Sequence, residues 1–238
     1  MNTITKDYFN QEYTSLEKGS GDPTIKSLPN FSPNSPSKIR VKIIRHSERL
    51  DYKNPIYWMF CLGQCWADSP LTYNGHQMAR TKGPILASDG FNPKVIYTSP
   101  YKRTVATATE LKHTFSKSQI IIEPLLAEFQ DVFKHNIDVY PTGIPTTYDG
   151  LETQFSYPES EANFNLRVRF ILSRLMEKAK EDFLVVTHGA VVKDCINHFQ
   201  TLFPNKILDP GNTPYLTTLS FEFDSDTGEI DENTVKLE

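Results

Sequence analysis

Two kinds of apolar pattern alternate along this chain. Short, almost continuous apolar runs occur at Ile39 to Arg45 (IRVKIIR), Lys94 to Thr98 (KVIYT), Gln119 to Ile122 (QIII) and Phe183 to Thr187 (FLVVT). Runs of that length and composition predict strands buried on both faces. Between them the apolar residues change to helical spacing. Thr72 to Ala87 reads as a helix with Thr72 as N-cap and Gly90 as a stop, and Ser99-Pro100 opens a second helix reaching about Phe115. From Ser160 to Lys180, Phe164, Val168, Ile171, Leu172, Leu175 and Ala179 share one face, and Ala190 to Leu202 resumes the same period. A last strand is expected from Tyr215 to Phe223, with one further edge strand in the polar C-terminal segment. Strands alternating with helices predict an α/β fold, a three-layer α/β/α sandwich with a mostly parallel central sheet.

Two stretches fall outside this alternation. Residues 50 to 71 form a long connection holding Tyr52, Tyr57, Trp58, Phe60 and Trp66, which either packs onto the core or lines a substrate wall. Residues 123 to 158 are irregular, with several prolines and glycines, and read as an insertion over the sheet. Residues 1 to about 38 carry Pro23, Pro29, Pro33 and Pro36 among many serines. They offer too little apolar surface to offset the entropy of ordering, so a disordered or extended tail is expected, with one domain from 39 to 238. Tyr8, Phe9, Tyr13 and Phe31 could anchor that tail across the domain.

Composition narrows the partners. A net charge of −4 gives no overall basic field, so neither nucleic acid nor an anionic membrane surface is the expected partner, and any anion site must be local. Cys61, Cys65 and Cys195 lack zinc-ribbon spacing and are odd in number, which favours a reducing, cytoplasmic compartment over a disulfide scaffold. No apolar run reaches the roughly 20 residues of a membrane helix, and the polar N-terminus lacks the apolar segment of a secretory signal. The N-x-S match at Asn30 is read as chance.

Local charge gathers where the strands end. In a parallel sheet the carboxyl ends share one edge, so Arg45, His46, Glu48 and Arg49, then Ser99 and Arg103, then His188 can converge. Three arginines and two histidines in an acidic protein suit a dianion, because the guanidinium fork gives bidentate bonds to phosphate oxygens. A zinc site drawn from His46, Glu48, His76 and His188 is the alternative, disfavoured by the adjacent guanidinium groups. His76, His113, His135 and His198 carry no motif and are expected on the surface or in packing.

RHSER from Arg45, SPYKRTVATA from Ser99 and VTHG from Val186 resemble, in this order and spacing, the three signatures of the histidine phosphatase superfamily, the group that includes the phosphoglycerate mutases. The resemblance spans about Ile39 to Leu202. PLTYNGHQMARTKG from Pro70, EPLLAEF from Glu123 and YPESEANFNLRVRF from Tyr157 look most similar to the phosphatase domain of the Sts (UBASH3) proteins. The resemblance implies a phosphoglycerate mutase-like fold and a phosphohistidine mechanism without metal or other cofactor. It makes His46 the nucleophile. Arg45, Arg49, Arg103 and His188 would hold the phosphoryl group, and Glu128 would be the general acid. Glu48 is expected to pair with an arginine. Ser47 stands where most members have glycine, and would be strained if that position required positive φ.

The implied activity is a phosphomonoesterase acting on a phosphorylated small molecule or phosphoprotein, with the aromatic connection favouring phosphotyrosine, a steroid phosphate or another aryl phosphate. A mutase or sugar-bisphosphatase, and a catalytically silent phosphate-binding module, remain as alternatives. Sts-like domains are associated with dimers, although no segment of this sequence carries an interface signal.

Overall fold

The computed structural model describes residues 38–62, 68–130, 143–147, 158–206, 208–209 and 211–238. The expected N-terminal tail, Cys65, Trp66 and His135 lie outside these residues, as does most of the 123 to 158 stretch. Among the described residues six strands form one sheet: β1 (Lys38–Arg45), β2 (Val95–Thr98), β3 (Gln119–Ile122), β4 (Phe183–Thr187), β5 (Thr218–Asp224) and β6 (Lys236–Leu237), in the order β3-β2-β4-β1-β5-β6. β3, β2, β4 and β1 run parallel, whereas β5 and β6 join antiparallel on the β1 side.

Four main helices cover the sheet: α1 (Tyr73–Ala87), α2 (Lys102–Leu111), α3 (Glu161–Lys178) and α4 (Gly189–Leu202). The continuous apolar strands are explained by the two cores they separate. Val41, Ile43, Phe183 and Val185 face α3 and α4, meeting Phe164, Val168, Ile171, Val192 and Ile196. Ile44, Ile96, Leu184 and Val186 point to the opposite face, meeting Leu86 of α1 with Ala108 and Leu111 of α2. Because strand side chains alternate, both faces must be apolar for the sheet to be buried twice. The expected three-layer architecture is therefore present.

Caps mark two helix starts as the sequence suggests. The side chain of Thr72 accepts from the Gly75 amide and that of Ser160 from the Asn163 amide. Other boundaries differ. α2 starts at Lys102, after Ser99-Pro100, and stops at Leu111 rather than Phe115. The strand expected from Tyr215 starts at Thr218 instead, because Leu216 has a φ of 62°, which an extended strand cannot contain. In the aromatic connection, Leu50–Lys53, Pro55–Tyr57 and Trp58–Leu62 are short helical turns that bury Trp58 and leave Tyr52, Ile56, Tyr57, Met59 and Phe60 exposed. Among the described residues no helix is long and apolar enough to cross a membrane.

Strand register decides where the site forms. Arg45 pairs with Thr187, and Thr98 with Val186 and Ile122, so four parallel strands end flush. The ladder continues one step beyond them: the amide of His46 donates to Thr187 O (2.8 Å), that of Ser99 to Val186 O (3.1 Å) and that of Glu123 to Thr98 O (2.8 Å).

One buried ion pair ties α3 to the segment after β3. The Arg167 guanidinium grips Glu159 with both edges (2.9 and 2.6 Å) and donates Nη1 to the carbonyls of Leu125 (2.6 Å) and Ala127 (3.0 Å). Glu159 also accepts from the Gln130 amide (2.9 Å). Both partners are almost fully buried. Arg167→Met keeps the volume but leaves a buried carboxylate and two carbonyls without their donor. It should cost about 3–5 kcal/mol in urea unfolding, and a loss below about 1 kcal/mol would show that the pair is not structural.

Candidate active site

His46 and His188 leave adjacent strands at the same level, and their rings meet edge to face at 5.4 Å between centroids. Both are buried. Nδ1 of His46 lies 2.7 Å from the Ser47 carbonyl. A carbonyl only accepts, so Nδ1 carries the proton and Nε2 keeps a free lone pair. Burial above all, then the positive charge of Arg103, with Arg45 and Arg49 adding to it, holds the His46 pKa well below its ordinary value. His46 is therefore a neutral imidazole with a basic nitrogen in a field that favours anions.

His188 shows the opposite tautomer. Its Nδ1 faces Arg103 Nη2 at 3.1 Å, which can only donate, so Nε2 carries the proton and donates to Ser99 Oγ (2.7 Å). Burial, followed by Arg103 and His46, also pushes its pKa well below the usual range. Arg103 itself is 1% exposed, and burial, with Arg49 adding to it, brings its pKa down to about 10. That value leaves it charged at neutral pH. The Asp68 carboxylate accepts from the Lys102 amide (2.7 Å), supplying the start of α2 with a cap from a distant loop just beside Arg103.

Each of the three expected phosphate-binding arginines lies over a tyrosine ring: Arg45 over Tyr215 (4.5 Å), Arg49 over Tyr52 (4.4 Å) and Arg103 over Tyr101 (4.3 Å). Arg45 also donates Nη1 to the Thr213 carbonyl. Its guanidinium crosses Gly189, where a Cβ would approach Nε to 3.2 Å, so a glycine after His188 lets the arginine pass. Arg49 forks onto Asp51, with Nε to Oδ1 at 2.6 Å. Burial opposes its charge, but the Asp51 carboxylate outweighs that and raises its pKa.

The expected site residues thus come together, with Glu128 at the rim. Its Oε2 is 3.6 Å from His188 Nδ1. Glu128 lines a depression of about 370 Å³ with Arg45, Gly189, Lys193 and Thr213. Glu123 turns away and caps its own turn by accepting from the Leu125 amide (2.9 Å).

Glu48 corrects an expectation. It accepts from Thr72 Oγ1 (2.6 Å) and Asn74 Nδ2 (3.3 Å) at the start of α1 and meets no arginine, because Asp51 already holds Arg49. Ser47 does not have positive φ. It is fully buried, its Oγ donates to the Gly75 carbonyl (2.7 Å) and its amide to Thr107 Oγ1 (3.0 Å), so the serine is accommodated and fixes the turn after His46. His76 pairs with Glu110 (2.9 Å), away from the site. The four residues of the zinc alternative therefore do not converge. Among the described residues no group of three or more histidine, cysteine, aspartate and glutamate side chains is arranged to hold a metal ion.

Sequence reasoning missed Tyr215, Tyr101, Asp51 and Asp68. For Tyr215 a signal existed: the Gly-Asn-Thr-Pro cluster from Gly211 precedes an antiparallel strand, whose start lies at the same edge as the parallel carboxyl ends.

Comparison with known proteins agrees with this geometry. Residues 43–234 match the model of the histidine phosphatase superfamily, branch 1. Over 200 residues the chain is 56% identical to an uncharacterized phosphoglycerate mutase family protein of Acanthamoeba polyphaga mimivirus, covering 84% of this chain and 98% of that one. The fold is similar to that of the ecdysone phosphate phosphatase of Bombix mori (TM-score 0.58, 16% identity, 82% of this chain and 93% of that one). It is also similar to that of phosphoglycerate mutase from Bacillus anthracis str. Sterne (TM-score 0.56, 18% identity, 85% and 93%). With its flush strand ends, its buried pair of histidines and a family match over most of its length, this chain belongs to the histidine phosphatase superfamily.

Proposed function

We propose that the protein is a metal-independent phosphomonoesterase working through a phosphohistidine on His46. The observation that carries this reading is the His46 ring, buried and neutral with its proton held on Nδ1, among three guanidinium groups. The lone pair on Nε2 attacks phosphorus and forms the N–P bond while the ester P–O bond breaks. The leaving oxygen takes that electron pair and the proton of Glu128. Water then attacks phosphorus and passes a proton to the Glu128 carboxylate, and the N–P electrons return to Nε2. Arg45, Arg49 and Arg103 hold the equatorial oxygens throughout, and His188 joins them once its ring N–H turns from Ser99 Oγ to the phosphoryl group.

The rim supports a substrate class. Tyr52, Tyr57 and Phe60 are 69%, 53% and 76% exposed in the connection that follows Arg49, with Tyr52 against its guanidinium, a surface that suits an aryl or steroid leaving group or a phosphotyrosine side chain. A close kinship with the Sts-like phosphatases belongs to the same proposal. It rests on the RHSER, EPLLAEF and YPESEANF stretches, while the ecdysone phosphate phosphatase of similar fold is in keeping with a steroid phosphate as substrate. A cytoplasmic location, to which the buried free thiol of Cys195 is suited, is also part of the proposal.

His46→Ala should abolish turnover of p-nitrophenyl phosphate with the thermal unfolding temperature unchanged within a few degrees, and wild type alone should yield an acid-labile, alkali-stable phosphoprotein after rapid quenching. Equal turnover in the two proteins would sink the mechanism. Glu128→Gln should lose about 10²–10⁴-fold with alkyl phosphates and far less with p-nitrophenyl phosphate, whose leaving group needs no proton. Equal losses on both would remove Glu128 as the acid.

For pH, the sign follows from the requirement that His46 be neutral. Because its pKa lies well below 6.5, the acid limb of kcat/KM should have its midpoint below that value, and activity should persist through pH 6 to 7. A midpoint above about 7 would contradict a neutral, desolvated nucleophile.

A further inference from the structure

The loop before β5 holds left-handed backbone at residues other than glycine. Among the described residues, Thr213 and Leu216 are the non-glycine positions with positive φ, and Gly211, two residues before Thr213, has a φ of 43°. Side chains with a Cβ adopt such angles only where their surroundings enforce them. The enforcement is visible here. Thr213 and Leu216 are buried, and the Thr217 amide and hydroxyl both donate to the Pro214 carbonyl (3.1 and 2.8 Å). The loop is also tied to the end of β1: the Arg45 amide donates to Thr217 O (3.0 Å) and its guanidinium to Thr213 O.

Between the two strained residues stands Tyr215. Leu216 packs into the core on the α1 and α2 side, whereas Tyr215 belongs to neither core and is only partly buried. Its ring instead lies 4.5 Å from the Arg45 guanidinium carbon and tilts by 47° against the His46 ring at 5.8 Å, and its hydroxyl faces the Arg49 backbone amide. One side chain thus touches three residues of the RHSER stretch, and the loop accepts left-handed geometry at two positions around it.

We propose that Tyr215 is a positioning residue. Its ring and the Thr213 carbonyl clamp the Arg45 guanidinium from face and edge, and the same ring backs the His46 imidazole, so that oxyanion ligand and nucleophile stay aligned before substrate arrives. An arginine side chain has several rotatable bonds, and a donor held by one carbonyl can still pivot; a ring against its face removes that freedom. Preorganisation of this kind acts on the transition state, where misalignment is most costly. The inference rests on the phosphatase reading above.

The test compares Tyr215→Phe and Tyr215→Leu with wild type and His46→Ala, using p-nitrophenyl phosphate turnover and direct binding of orthovanadate. Tyr215→Phe keeps the ring and should stay within about twofold of wild type in kcat and KM. Tyr215→Leu should lose about tenfold or more in kcat/KM, mainly in kcat, and weaken vanadate by a similar factor, the size expected for a partly desolvated cation–π contact. If the leucine variant does not fold, Tyr215→Met takes its place in both measurements. Wild-type turnover and vanadate affinity in the leucine or methionine variant would overturn the clamp, and so would an equal loss in Tyr215→Phe. Should His46→Ala remain active, the phosphatase reading itself falls. Should it be inactive while Tyr215→Leu is normal, only the clamp falls.

Discussion

Burying three guanidinium groups beside one another is the constraint on which this structure depends. Arg103 is almost wholly removed from water, with two imidazoles and two further guanidinium groups close by. Like charges at such distances in a low-dielectric site repel strongly. The fold manages this in two ways. Both histidines are kept neutral by burial and by their neighbours' charge, so that five basic groups carry three charges. Carboxylates stand around the cluster at Asp51, Asp68 and Glu128, close enough to favour the arginines' charge while their own hydrogen bonds are taken by Arg49, the Lys102 amide and the Phe129 amide. Three guanidinium charges thus stand against three carboxylates, which is what lets the fold bury them.

The sheet makes such a cluster economical. Flush carboxyl ends of β1, β2 and β4 deliver Arg45 with His46, Ser99 with Arg103, and His188 to one point with little excursion of the chain. Rigid strands and helix starts are better supports than free loops for groups that must hold sub-ångström geometry. The two residues supplied from irregular backbone, Glu128 and Tyr215, are each tied down: the first by Arg167 gripping its segment, the second by the turn at Pro214.

Much of this was legible in the sequence because the relevant signals are local. Runs such as FLVVT announce a strand, and a sharp change from apolar to charged residues announces its end, so the fold class and the convergence of Arg45, His46, Arg103 and His188 could be reasoned directly. The tyrosine partners of the arginines could not. Cation–π contacts join Arg45 to a residue 170 positions away, and the turn residues ahead of Tyr215 mark its place at the sheet edge without telling that its ring lies over an arginine. Glu48 was misread for the converse reason: adjacency to arginines in sequence says nothing of direction, and its side chain leaves on the α1 side. Ser47 was legible only as a departure from glycine, since whether serine fits depends on the Gly75 carbonyl brought to it by a helix.

The grip of Arg167 on the segment preceding Glu128 also bears on the order of folding. β1 and β4 meet across about 140 residues of chain, and the carbonyls of Leu125 and Ala127 are held by a side chain encoded some 40 residues later. Long-range contacts of this kind form late, because closing large loops costs entropy before any contact rewards it. The segment of Glu128 closes a loop of about 40 residues, whereas β1 finds β4 only across about 140, so the shorter closure comes first and the sheet edge that carries His46 and His188 is completed last. A partly folded molecule would therefore hold the segment of Glu128 in place before the two histidines meet.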